Sequence, residues 1–398
     1  MSGRIHGLDE AAVAGRRVLL RADLNVPLRY GRVADTTRIA RLVPTIRELA
    51  EKGARVIVCS HFDRPKGQRR PEMSLAPLAP ALAAALNRPV VFCTECIGEA
   101  AERAVAGLGD GGILLLENTR FNPGEEANDP AFAAALAKPA ELFVNDAFSV
   151  SHRAHASTEG VTHLLPSYAG RLMEAELAAL ESALGHPVRP VGAIVGGAKV
   201  STKLALLGNL CGKVDLLMIG GAMANTFLAA RGIAIGRSLE EKELHDEARK
   251  ILEQAKAAGC EVLLPVDAVV AAALEPGTTS HVVPVEAVPA ALMILDVGPA
   301  TVAAFEAHLA NLRTLVWNGP VGAFETPPFA AGTVAIAGAV AAATAAGRLC
   351  SVAGGGDTVA ALNFAHAADK LTYVSAAGGA FLEWLEGKTL PGVAALVR

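Results

Sequence analysis

The sequence has no long uninterrupted apolar stretch: its Ala-rich runs are broken by Gly or polar residues before the ~18 residues that a membrane helix needs. Its first segment, MSGRIHGLDEAAVAGRRVLLRADLNVPL, also has no apolar h-region, so neither a signal peptide nor a membrane span is expected. Charge of one sign is scarce too. A net −4 over 398 residues offers nucleic acid or an anionic membrane no general electrostatic footprint, and any anion must be met locally. Six cysteines in so long a chain are too few for a disulfide framework, which fits a reducing cytoplasm. Cys93 and Cys96 form an isolated C-x-x-C with no second pair or nearby His to complete a zinc site, and read as two thiols beside a strand end. Common nucleotide signatures are missing as well. The Gly-Lys-Thr at Gly387 to Thr389 has Leu382 where the P-loop pattern G-x-x-x-x-G-K-[ST] needs its first Gly. Gly354 and Gly356 are followed by Val359 where the dinucleotide fingerprint needs its third Gly, and the protein-kinase H-R-D and D-F-G motifs do not occur.

What is present is a globular composition, 52% hydrophobic and 19% charged, long enough for two domains with a core each. Short aliphatic runs alternate with helical stretches: RVLLRADL, TRIARLVPTIRELAEKG, RVIVCSHF, then PVVFC, GILLLEN and ELFVNDAF. This is a βαβ rhythm, and runs apolar on both faces belong to parallel sheets covered by helices on each side. The second half repeats the rhythm with VGAIVGG, KVDLLMIGG, EVLLPVDAV, TLVWNGP, LCSVAGG and KLTYVSAAGG. Between the halves Met173 to Leu184 reads as one amphipathic helix, stopped by Gly185, His186 and Pro187. The expected architecture is two doubly wound, Rossmann-like α/β lobes joined by a linker helix.

In open parallel sheets ligands sit beyond the carboxyl ends of the strands. There the first half places Arg21, Asp23 and Asn25, His61 and Arg64, Arg120, and His152, Arg153 and His155, with Arg38 opening the first helix. A lone Arg is commonly a surface ion pair, but recurrence at successive strand ends points to a small polyanion gripped by guanidinium forks. In the second half Gly354 to Thr358 (GGGDT) follows a strand and opens a helical run. It reads either as a tight turn or as a phosphate loop, with backbone N–H groups and a helix N-terminus for the phosphates and Asp357 for Mg²⁺. Lys199 and Lys203 in GGAKVSTK share a face if a helix begins at Lys199; they either flank an anion or belong to a solvated face.

Taken in order, RADLNVPL, SHFDRP, LLENTRF, VNDAFSVSHRAHAS, GGAKVSTK, LPVDAVVA, WNGPVGAFE, GGGDT and LEGKTLPG resemble the phosphoglycerate kinase family from end to end. The resemblance implies a triose-phosphate lobe over residues 1–170, a linker helix over 171–187, a nucleotide lobe over 188–378, and a C-terminal segment, 379–398, returning to the first lobe. It implies that Asp23, Leu24, Asn25, Arg38, His61, Phe62, Asp63, Arg64, Arg120 and Arg153 surround 3-phosphoglycerate or 1,3-bisphosphoglycerate. Arg38 and Lys199 would be catalytic, countering charge on the phosphoryl group in transfer. Lys203, Asn318, Glu325, Gly354, Gly355, Gly356, Asp357 and Thr358 would hold ATP or ADP, with Glu325 at the ribose and Asp357 on Mg²⁺. A monomer with neither nucleic-acid nor membrane partners is expected. Three places differ from the family's usual pattern: Asp63 and Ala222 replace Gly, and Ala376-Ala377 stand in what is usually a Thr-containing, glycine-rich turn. Two other readings compete, a non-catalytic scaffold on this fold and a dinucleotide oxidoreductase. The first leaves Lys199, Arg38 and Asp357 without a purpose, and the second lacks its fingerprint.

Overall fold

A computed structural model describes residues 4–397. By internal contacts the chain divides into two compact units, one running to Leu177 and resuming at Thr389, the other spanning Ala178–Lys388.

In the first unit six parallel strands lie in the order Val91–Phe92, Ile113–Leu115, Arg55–Cys59, Arg17–Arg21, Leu142–Asn145, Ser167–Ala169. Successive side chains of a strand point to opposite faces. Accordingly Val18 and Leu20 pack with Val56, Val58 and helix Thr37–Glu51, whereas Leu19 packs with Ile57, Phe143 and Leu136 on the other side. With both faces covered, each strand is a continuous apolar run, and truncating a residue such as Leu20 to Ala should cost about 2–5 kcal/mol. Strand order reverses at the central pair Arg17–Arg21 and Leu142–Asn145, the crevice where a doubly wound sheet binds ligands.

The second unit repeats the plan with parallel strands Glu261–Leu263, Leu216–Ile219, Val191–Val195, Thr314–Asn318, Cys350–Gly354 and Tyr373–Ser375. Its switch point falls between Val191–Val195 and Thr314–Asn318. The run EVLLPVDAV is not one strand. Glu261–Leu263 stays in the parallel sheet, and Asp267–Ala271 becomes the centre of a separate antiparallel sheet between Ser280–Pro284 and Met293–Val297. Pro265, which has no N–H for a ladder, lies between the two pieces.

Helix Arg171–Leu180 contains the point, Leu177 to Ala178, at which the chain passes from the first unit to the second, and it continues as a π-helical turn, Glu181–Gly185. Its first N–H groups are capped from below: Asp146 accepts from Leu172 and Met173 at 2.9 and 3.1 Å, and Thr45 Oγ1 accepts from Arg171 at 3.0 Å. The return to the first unit comes later than residue 379. Helix Gly378–Leu385 stays with the second unit, where Asn209 Nδ2 donates to the Leu385 carbonyl. The segment after Thr389 is pinned to the first unit by Gly392, whose N–H reaches Ser151 O at 2.9 Å and whose carbonyl accepts from Asn145 at 3.3 Å.

Candidate functional sites

In the first unit the loops after the central strands converge. Asp23 follows Arg17–Arg21 and its Oδ2 accepts from Arg38 Nη1 and from Ser149 Oγ, both at 2.5 Å. Its other oxygen accepts from Asn25 N at 3.0 Å, a turn that lets Asn25 Oδ1 accept the N–H of Asp63 at 3.1 Å. Leu24 is fully buried and donates its N–H to Ser60 Oγ at 3.0 Å, and Phe62 is clamped by Asn118, which accepts from its N–H and donates to its carbonyl. Leu24 and Phe62 therefore shape the loops by burial and backbone bonding. Arg120 is nearly buried; Nη1 donates to the Asp63 carbonyl at 2.8 Å, and Glu126 lies 3.4 Å from its Nε. Arg64 and Arg153 are exposed and have no carboxylate partner among the described residues.

This crowd of cations shapes its own histidines. Burial first, then Arg21, Arg120, Arg38 and His155, hold the His61 imidazole well below the ordinary histidine range. His155 is pushed down to about 4, by burial and then by Arg120 and Arg21. Both rings are neutral at pH 7, so the positive charge of the site is carried by guanidinium groups. Asp63 has φ +52°, in the left-handed region that favours Gly, and its carboxylate joins no ion pair among the described residues. The usual Gly here thus has a backbone reason. Neither Ala222 nor Ala376 nor Ala377 has positive φ, and Ala377 settles with its N–H on Ser375 Oγ at 3.1 Å, so those three departures carry no such strain.

The second site is built mainly from backbone. Gly196 to Lys203 follow the strand Val191–Val195, and the helix begins at Leu204, not at Lys199. Lys199 and Lys203 therefore do not share a helical face. Lys199 is exposed on the loop, while Lys203 turns inward, its Nζ donating to the Gly196 and Asn318 carbonyls at 2.6 and 3.0 Å. Burial brings the Lys203 ammonium down to about 8, partly opposed by the nearby Asp357. Asn318 Nδ2 donates to the Gly354 carbonyl at 2.8 Å, and the hydroxyl of Thr358 accepts the Gly319 N–H at 2.7 Å. Asn318 and Thr358 are thus the struts of the loop. Gly355 has φ +100°, and a Cβ there would stand 2.8 Å from Asn318 Nδ2. Gly356 opens helix Gly356–Phe364, with Asp357 exposed in its first turn. The first N–H groups of a helix have no partners within it and favour an anion.

A cavity of about 320 Å³ adjoins this loop, reaching from Gly197 and Asp357 to Glu325 between apolar walls that include Ala222, Leu228, Met293 and Val321. Asp296 also lines it, and burial raises its carboxyl to about 7 against hydrogen bonds from Gly332 N and Val297 N. The volume suits a flat heteroaromatic ring with a sugar at the mouth. Sequence reasoning did not find these walls, because several come from the antiparallel sheet, nor Ser149 and Asn118, whose hydrogen bonds to distant segments leave no motif. For a metal, no group of three or more His, Cys, Asp or Glu exists among the described residues. One exposed carboxylate at a phosphate-type loop nevertheless fits Mg²⁺, which usually takes one or two protein carboxylates and completes its shell with phosphate oxygens and water.

The sequence model of the family described as phosphoglycerate kinase matches residues 8–388. A protein of Granulibacter bethesdensis named phosphoglycerate kinase is 64% identical over 389 residues, 98% of each chain. One of Bradyrhizobium diazoefficiens with the same name is 60% identical over 396 residues, covering 100% of this chain and 99% of the relative. Among solved structures, the phosphoglycerate kinase of Coxiella burnetii superposes with a TM-score of 0.92 at 42% identity over 99% of both chains. That of Pyrococcus horikoshii gives 0.80 at 29% identity over 98% of both.

Proposed function

This chain belongs to the phosphoglycerate kinase family, and from that premise we propose that it catalyses reversible phosphoryl transfer from 1,3-bisphosphoglycerate to ADP, giving 3-phosphoglycerate and ATP. The observation that carries the reading is the pair of strand-end sites with complementary chemistry. One is a guanidinium cluster in which Arg64 and Arg153 are exposed and have no carboxylate partner among the described residues; the other is a glycine loop beside an apolar cavity.

In this reading Asp23 and Asn25 take the triose hydroxyls, and Arg64, Arg120 and Arg153 take its anionic groups, each by charge-assisted hydrogen bonds. Nucleotide phosphates lie along Gly354, Gly355 and Gly356 at the helix N-terminus, the base in the cavity and the ribose at Glu325. Asp357 would hold Mg²⁺, which supplies charge neutralisation at the phosphate oxygens. No side-chain nucleophile is required, since the attacking group is a terminal phosphate oxygen of ADP and the leaving group is the acyl carboxylate. Catalysis is then positioning and charge stabilisation, with Lys199 and Arg38 countering the equatorial oxygens.

Direct transfer needs the reacting atoms within about 3–3.5 Å and water kept out. Because the two sets of ligands belong to different units, closure accompanies binding of both substrates, with the enzyme acting as a cytoplasmic monomer. Six free thiols support a reducing compartment, and no helix among the described residues is long and apolar enough to cross a membrane. A coupled assay for ATP formed from 1,3-bisphosphoglycerate and ADP tests the activity, and its absence in folded protein would end the proposal. Solution scattering tests closure: the radius of gyration should be smaller with 3-phosphoglycerate and a non-hydrolysable nucleotide together than with either alone.

A further inference from the structure

Below the triose ligands lies a buried relay that phosphoryl transfer does not itself use. Arg21, the last residue of strand Arg17–Arg21, is completely buried. Its guanidinium divides its donors three ways: Nε to Ser157 Oγ at 2.7 Å, Nη1 to the Ala22 carbonyl, and Nη2 against His61 Nδ1 at 3.3 Å. Ser157 then donates its hydroxyl to Glu125 Oε1 at 2.5 Å and its N–H to Oε2 at 3.0 Å, and Glu125 too has no exposed surface. A hydroxyl has one proton to give, so accepting from Arg21 and donating to Glu125 polarises the relay in a single direction. Glu125 thereby ends the relay as its hydrogen-bond acceptor, through both carboxyl oxygens.

The consequence falls on His61. A guanidinium carries donors only and does not lose its proton in proteins, so the nitrogen it meets must offer a lone pair. A proton on Nδ1 would set two donors face to face. The ring proton therefore resides on Nε2. Its backbone is pinned as well, with Ser60 Oγ donating to the His61 carbonyl at 3.1 Å and Asn118 holding the next residue. Burial, Arg21, Arg120, Arg38 and His155 all disfavour a second proton on this ring.

We propose that Arg21 is a positioning residue that holds His61 as the neutral Nε2–H tautomer, and that His61 in this form donates one directional hydrogen bond to a triose oxygen. The donor role rests on the placement of His61 among the triose ligands. A neutral donor inside an arginine cluster adds direction without charge, so its share of triose affinity stays constant across physiological pH. A cationic His61 would instead tighten 3-phosphoglycerate binding as pH falls.

The test is long-range proton–nitrogen NMR on the full chain with ¹⁵N-labelled histidine, from about pH 5 to about pH 8, without and with 3-phosphoglycerate. His61 should show a protonated Nε2 and a bare Nδ1 throughout, and the Nε2 signal should move when 3-phosphoglycerate is added. A ring that titrates in this window, or carries its proton on Nδ1, in the free protein overturns the lock whatever the substrate does. A locked ring whose Nε2 signal stays still while other signals report bound 3-phosphoglycerate overturns the donor role and the triose placement of His61. In Arg21→Met the ring should become a mixture of tautomers, and KM for 3-phosphoglycerate should rise about 3- to 10-fold with a smaller change in kcat. A pure Nε2–H ring in that variant would remove Arg21 from the lock. If the variant does not fold, the spectra of the unaltered protein decide.

Discussion

The candidate site of the first unit is built from side chains and that of the second from backbone, and the two should tolerate different kinds of change. In the first, Arg64, Arg120 and Arg153 follow separate strands, Arg38 lies in the first turn of helix Thr37–Glu51, and the loop that carries Asp63 holds a non-Gly residue at φ +52°. In the second, the strand-end loops cross so closely that a Cβ on Gly196 would lie 1.9 Å from the Pro320 carbonyl oxygen, and one on Gly319 2.2 Å from the Gly196 oxygen. A small polyanion is recognised by charge and hydrogen-bond direction, which long side chains deliver over open space. A nucleotide tail is recognised by close approach of N–H groups, which side chains would obstruct. Backbone substitutions should therefore be mild in the first region and severe in the second, with Lys199 the main exception as an exposed side chain on a backbone-built site.

That exception gives the largest expected effect. Lys199→Ala should fold normally, by circular dichroism, while kcat falls about 10²- to 10³-fold through loss of a charge aimed at the transferring group. Near-native turnover would take Lys199 out of the chemistry and leave the second site wholly backbone.

Next comes Gly319→Ala, which combines φ +102° with the collision at Gly196 and should cost about 2–3 kcal/mol in urea unfolding. Asp63→Ala, where an L residue already occupies the left-handed region, should change stability by under about 1 kcal/mol. Equal costs would break the comparison.

Buried acid chemistry in the second unit offers a contrast that depends on pH. The Asp296 carboxyl is raised from 3.8 to about 7, chiefly by burial, so between those values the folded state holds a proton that the unfolded state has lost. Its contribution to stability is complete below the unfolded value, declines as pH rises, and is gone above about 7. The stability of the unaltered protein relative to Asp296→Asn should accordingly fall between acid and neutral pH by up to about 4 kcal/mol in paired urea titrations. A difference that is flat with pH would mean that Asp296 is ionised throughout.

The smallest effect is expected at Asp63→Gly. Relief of the left-handed conformation should stabilise the protein by up to about 1 kcal/mol, and removal of an acid beside Arg64 and Arg120 should lower KM for 3-phosphoglycerate about twofold. Unchanged or higher KM at matched ionic strength would show the acid to be neutral or useful.

The two sites differ as much in how readable they were. Asp23, Asn25, His61, Arg64, Arg120 and Arg153 were visible because each follows an apolar run, and the end of a parallel strand has one direction. Gly354 to Thr358 was visible for the same reason. The inward turn of Lys203 onto two carbonyls was not, because it depends on Asn318, which is 115 positions away in the chain. The relay from Arg21 to Glu125 through Ser157 was hidden likewise, since hydrogen bonds between distant segments impose no spacing on the chain.

Local pattern by itself determined the two parallel α/β sheets, the alternation that covers both faces of each, and which strand ends carry charge or glycine, since these follow from side-chain period and from the fixed direction of a parallel strand. Tertiary structure decided the rest: that Asp267–Ala271 leaves the main sheet to help wall a cavity, that the chain returns to the first unit only at Thr389, and that Asn318 and Thr358 brace the glycine loop. Those outcomes depend on which distant segments meet in space, and burial with hydrogen-bond partnership is settled only once they do.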